Sequence, residues 1–175
     1  MKVINLWGSP GSGKSTTAAG LFSLMKLKKK KVELVTEFAK DLTYEENFIT
    51  LSNQLAVTGQ QDHRLRRLEG HVDYVITDSP LPLGIMYADG VWKSDWFINC
   101  VLGAYNSYEN LNFFIRRVKP YTNIGRTQTE VESNQISINL LDFLKQQNLH
   151  FVEVNGDEFA ARNIYDLMFL EDPLS

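Results

Sequence analysis

Short apolar runs alternate along the chain with stretches whose apolar residues recur every three or four positions. Val3-Ile4-Asn5-Leu6-Trp7 has the pattern of a buried strand and breaks at once into Gly8-Ser9-Pro10-Gly11-Ser12-Gly13. From Ser15 to Lys28 the apolar residues Ala18, Leu21, Phe22, Leu24 and Met25 fall at helical spacing, which predicts a helix from about Lys14. Val32 to Thr36, Val72 to Thr77, Asn112 to Ile115 and Phe151 to Val154 read as four further strands. Helical patterns separate them at Glu45 to Leu68, Trp92 to Tyr105 and Glu130 to Gln147, and a last amphipathic segment runs from Glu158 to Leu170. Strands alternating with helices predict right-handed crossovers and a parallel sheet covered on both faces. No repeat, linker or low-complexity stretch divides the chain, so 1–175 is read as one domain.

Composition narrows the class. With 175 residues and 43% apolar content the chain can bury a core without disulfides or a structural metal. The 18 Lys plus Arg against 21 Asp plus Glu, a net charge of −3, argue against a generally basic surface for nucleic acid. The single Cys100 cannot form an internal disulfide and reads as a core thiol in a reducing, cytoplasmic setting. No run approaches the roughly 18 apolar residues of a membrane span, and monomer or homodimer are both compatible with the sequence. The cluster Lys28-Lys29-Lys30-Lys31 is a solvated helix end, favoured by the helix dipole, or a phosphate-binding patch.

The densest chemical signal is Gly8-Ser9-Pro10-Gly11-Ser12-Gly13-Lys14-Ser15, which matches G-x-x-x-x-G-K-[ST] between a predicted strand and a predicted helix. Glycines allow successive N–H groups to turn inward, and the helix N-terminus adds positive potential toward an anion. Gly8, Gly11, Ser12, Gly13, Lys14, Ser15 and Thr16 are therefore the candidate polyphosphate cradle, with Lys14 reaching the β- and γ-phosphates of ATP and Ser15 ligating Mg²⁺. Asp78, at the end of a neighbouring strand, is the second candidate on the metal side. The residue after it is Ser79, not the Glu with which motor ATPases orient a water, and no Asn-Lys-x-Asp guanine-reading motif is present.

These residues resemble the P-loop nucleoside and nucleotide kinases, and most of all the nicotinamide riboside kinase-like group with its small bacteriophage-encoded relatives. The likeness adds Glu37-Phe38-Ala39-Lys40 where the group has Glu-Tyr-Ala-Arg, then Gln60 and Gln61, and Asp78-Ser79. Ser9-Pro10-Gly11 departs from the Glu-Ser pattern common in nicotinamide riboside kinases. The resemblance implies a three-layer α/β fold with a five-stranded parallel sheet of order 2-3-1-4-5. It also implies ATP- and Mg²⁺-dependent phosphoryl transfer to a hydroxyl or phosphate of a nucleoside- or nucleotide-type small molecule.

On that reading Glu37 faces the acceptor and takes its proton, with Asp41 as a fallback; Gln60 and Arg64 hold the acceptor. Arg116 to Arg126 contains four cations and no acid, which suggests a lid at about 117–128 that brings Arg117 and Arg126 to the transferred phosphate. Arg116, Asn155 and Gly156 would border the nucleotide base. Two alternatives stay open: a kinase acting on hydroxymethylated pyrimidines in bacteriophage DNA, and an ATP-binding or ATP-hydrolysing regulator or motor subunit.

Overall fold

Residues 1–121 and 129–169 are described by the computed structural model. The sheet has five parallel strands in the order β2-β3-β1-β4-β5: β1 (Lys2–Trp7), β2 (Val32–Val35), β3 (Tyr74–Thr77), β4 (Glu109–Arg116) and β5 (Val152–Asn155). This is the expected order, and it puts the loop after β1 at the centre of the sheet's carboxyl edge, between the ends of β3 and β4. Ligands of open parallel sheets bind in such crevices.

Alternation along the strands divides the core into two faces. Ile4, Leu6, Ile76, Phe113, Ile115 and Val154 pack under α1 (Lys14–Leu27) and α8 (Ala160–Phe169). On the other face, Val3 and Val75 meet Leu65 of α4 (Gln54–Arg66) and Phe97 and Val101 of α6 (Asp95–Asn106), while Trp7 and Phe114 meet Leu140, Phe143 and Leu144 of α7 (Glu130–Gln146). Helices thus cover both sides, giving three layers. Among the described residues no helix is long and apolar enough to cross a membrane.

Several boundaries differ from the sequence pattern for local reasons. The material expected as one helix from Glu45 to Leu68 is two, α3 (Phe48–Ser52) and α4, and a further helix, α2 (Phe38–Tyr44), precedes it. Glu46 adopts a left-handed φ of 55° just past α2, and the side chains of Asn47 and Asn53 cap the next two helices by accepting from Thr50 N and Ala56 N. The strand expected at Asn112–Ile115 extends back to Glu109, because its polar members are satisfied inside the core. Asn112 Oδ1 accepts from Trp7 Nε1 at 3.0 Å and from the Tyr105 hydroxyl at 2.7 Å, and Asn112 Nδ2 donates to His150 O at 2.9 Å. A four-residue helix, α5 (Leu83–Met86), and a 3-10 turn at Gly90–Trp92 precede α6. Cys100 is exposed and not in the core, since α6 buries Phe97, Val101 and Tyr105 and turns Cys100 outward.

Candidate functional site

The loop between β1 and α1 owes its shape to residues without a Cβ. Gly8, Gly11 and Gly13 have φ of 147°, 80° and 101°, which L side chains rarely adopt. At Gly8 a Cβ would also lie 2.6 Å from Ser12 Oγ and 2.8 Å from Ile115 O. Gly13 caps α1, so the first turn of a 14-residue helix opens directly into the loop. Lys14 Nζ donates to Gly8 O at 2.7 Å and to Ser9 O at 3.2 Å, which holds the ammonium at the loop itself.

The two candidates for the metal side are in contact. Ser15 Oγ donates to Asp78 Oδ2 at 2.6 Å across the β1–β3 crevice, while Asp78 Oδ1 is buried and has no hydrogen-bond partner among the described residues. Two oxygen donors, one of them unpaired, suit a hard cation that takes its other ligands from phosphate and water, as Mg²⁺ does. No group of three or more His, Cys, Asp or Glu side chains with metal-site geometry occurs among the described residues.

Glu37 follows β2 and precedes α2, and its carboxyl caps nothing. Burial pushes its pKa up; Lys14 pulls it down, Asp78 pushes it up again, and Lys40 and Asp41 act more weakly in opposite senses. The carboxyl therefore stands in the field of both Lys14 and Asp78, and among the described residues it forms no ion pair. Gln61 sets this corner. It is buried, with Oε1 accepting from Phe38 N at 2.9 Å and Nε2 reaching Thr36 O at 3.3 Å and Thr77 Oγ1 at 3.4 Å. The backbone on both sides of Glu37 is thereby tied to the end of β3. Tyr87 borders the same cleft: its pKa is raised by burial and then by the Glu37 carboxylate. It follows α5, which lies close on α4, since a Cβ at Gly84 would sit 2.3 Å from Thr58 Oγ1.

Other candidates are placed differently from the sequence expectation. Arg64 is not poised for a ligand: Nη2 pairs with Asp41 at 2.6 Å, Nη1 reaches Thr36 O, and the guanidinium lies 4.9 Å from the Phe38 ring. That pairing also occupies Asp41. Gln60 is exposed on α4, one position from the inward-facing Gln61. Arg117, expected over the phosphates, is instead turned onto α7, 2.8 Å from Glu130 and hydrogen-bonded to Asn134. Arg116 is exposed and pairs with Glu153 at 3.1 Å. Arg126 lies outside the described residues. Thr16 is exposed in the first turn of α1, and Asn155 is exposed at the end of β5. Gly156 packs against the phosphate loop so closely that a Cβ would fall 2.0 Å from Ser12 O, and its N–H donates to Arg116 O at 2.8 Å. The lysine run lies at the far end of α1, about 20 Å along the helix axis from the loop, where Lys30 covers the Phe169 ring at 4.2 Å.

One contact at the loop had no sequence signal beyond a small polar residue on the buried stripe of α7. Ser133 is fully buried; its hydroxyl donates to Pro10 O at 2.7 Å and lies 3.2 Å from Ser9 Oγ.

The model of the AAA domain family matches residues 3–162, which include the glycine loop, Asp78 and β5. The chain belongs to the AAA domain family. The fold of this AAA domain protein is that of the P-loop nucleoside and nucleotide kinases. It superposes on deoxyadenosine kinase from M. mycoides, solved with products dCMP and a flexible dCDP bound, with a TM-score of 0.54 and 19% identity over 98% of each chain. No curated protein matches the chain in sequence.

Proposed function

We propose that the protein transfers the γ-phosphoryl group of ATP to a hydroxyl of a nucleoside-type small molecule. The observation that carries this reading is the position of Glu37, a carboxyl in the field of Lys14 and Asp78 that forms no ion pair among the described residues. ATP phosphates would be held by the N–H groups of Gly8 and of Gly11 to Thr16, with Lys14 leaving its carbonyl contacts for the β- and γ-oxygens. Ser15 and Asp78 would hold Mg²⁺, which when bound offsets the charge of the phosphates. Glu37 would accept the proton of the attacking hydroxyl.

Charge on the acceptor side favours a neutral hydroxyl over a phosphate acceptor. Arg64, the guanidinium on this side, is already paired with Asp41 at 2.6 Å and so is engaged before a phosphate acceptor arrives. Transfer is favoured over hydrolysis because Ser79 follows Asp78, where a motor ATPase carries Glu. In this reading the whole of 1–175 is one domain with a lid at about 117–128; Arg126 keeps the lid role, and Gly156 and Asn155 border the base of ATP.

The test is incubation with γ-labelled ATP and Mg²⁺ against a panel of nucleosides, nucleoside monophosphates and hydroxymethyluracil-containing DNA. The reading predicts labelled nucleoside, lost in Lys14→Ala with the fold retained. Labelled diphosphate formed from an added monophosphate, labelled DNA or free phosphate alone would each replace it.

A further inference from the structure

The contacts of Arg117 and Ser133 form a continuous path from the end of β4 to the phosphate loop. Arg117 sits one residue past β4, with only 13% of its side chain exposed. Nη1 meets Glu130 at 2.8 Å, Nη2 donates to Asn134 Oδ1, and the guanidinium lies 5.2 Å from the centre of the Tyr121 ring. Its planar fork thus grips two positions four residues apart, one turn along the first part of α7. That stretch is itself well started: Thr129 and Glu132 form a reciprocal capping box, and Glu130 and Glu132 suit the positive end of the helix.

Ser133 lies between the two gripped positions in sequence, on the adjoining face of α7, and is turned into the protein. It is fully buried, and its hydroxyl donates to Pro10 O and adjoins Ser9 Oγ. Ser9 and Pro10 form the shoulder of the loop opposite the Gly156 contact. The shoulder carbonyl of Ser9 also receives Lys14 Nζ and the Ser12 N–H. A shift of α7 would therefore move the carbonyls that orient both the loop and its lysine.

We propose that Arg117 and Ser133 are a pair of positioning residues. Arg117 fixes the first turns of α7, and Ser133 transmits that position to the Ser9–Pro10 shoulder, holding the loop in the shape that receives a polyphosphate. Arg117 thereby acts on nucleotide binding from behind the loop and touches no substrate. The inference rests on the functional reading above only as far as nucleotide binding at the loop.

Equilibrium titration with Mg²⁺-ATP and thermal melting of the full chain test it. Arg117→Ala and Ser133→Ala are each expected to raise the ATP Kd about five- to tenfold, the scale of a lost positioning hydrogen bond. The double variant should bind no worse than the weaker single one, because both act through one path. Arg117→Lys, which keeps the Glu130 pair without the fork, should recover part of the loss. Val101→Ala, in the core between α6 and the sheet, should lower Tm while leaving the Kd unchanged. Additive losses, wild-type Kd values in both single variants, or a Kd that follows Tm in Val101→Ala as well would overturn the proposal. An unmodified protein that binds no ATP would overturn the functional reading and this inference together, whereas binding without phosphoryl transfer overturns the functional reading alone.

Discussion

Burial holds the Glu37 carboxyl above the ordinary glutamate value, and that single shift links stability to activity with opposite signs. The folded form binds its proton more tightly than the unfolded chain, so stability falls as pH rises from the ordinary glutamate range through the raised native pKa. Above that point the full penalty of a partly desolvated carboxylate is present. Glu37→Gln should therefore melt higher than the wild type near neutral pH, with the difference closing on acidification. Proton acceptance needs the carboxylate, so kcat/KM, which reports the free enzyme, should fall as pH drops through the same raised value, and the Gln variant should lack that acid limb. Paired melting curves and kcat/KM–pH profiles check both. A Gln variant that melts no higher at neutral pH would contradict the assigned cause of the shift.

At the level of elements, the site is a meeting of ends. The carboxyl ends of β1, β2 and β3 bring Lys14, Glu37 and Asp78 together, and Gln61 of α4 ties the second end to the third. Period-2 and helical patterns were enough to place the strands and the larger helices, and the glycine loop announced itself by its fixed spacing. The separate starts of α3 and α4 were harder to read. Their signals are the caps Asn47 and Asn53, which a count of apolar periodicity passes over. β4 hid part of its length because Asn110 and Asn112 interrupt the apolar run. Asn112 is a core residue bonded to Trp7 and His150, and the half-buried Asn110 accepts from Asn5, partners remote in sequence that nothing local announces. Asn112→Leu would leave the Trp7 indole N–H, the Tyr105 hydroxyl and the His150 carbonyl without their partner. At about 1–3 kcal/mol for each unsatisfied buried group, it should lower the unfolding free energy by about 3 kcal/mol or more. Urea denaturation should show an earlier midpoint with an unchanged slope.

For the molecule as a whole, the strand order followed from a general rule for parallel sheets together with the resemblance carried by the loop. The arginines were least legible. Arg64 and Arg117 have the spacing and charge of ligand-binding groups, yet each is committed to an acid brought close only by folding, Asp41 in one case and Glu130 in the other. Net charge could not reveal this, since −3 is a sum that carries no information on which cations fold against an acid. What remains around the crevice is the N–H-rich phosphate loop with Lys14, facing the carboxyls of Glu37 and Asp78, and the proposed function assigns the first to a polyphosphate donor and Glu37 to a neutral hydroxyl. The most direct test of that division is single-turnover transfer from γ-labelled ATP to a nucleoside panel, run with the wild type and Glu37→Gln at matched ATP occupancy. The account predicts labelled nucleoside from the wild type and a collapse of that product in Glu37→Gln with ATP binding retained. Equal transfer by the two proteins, or release of labelled phosphate with no labelled acceptor, would contradict it.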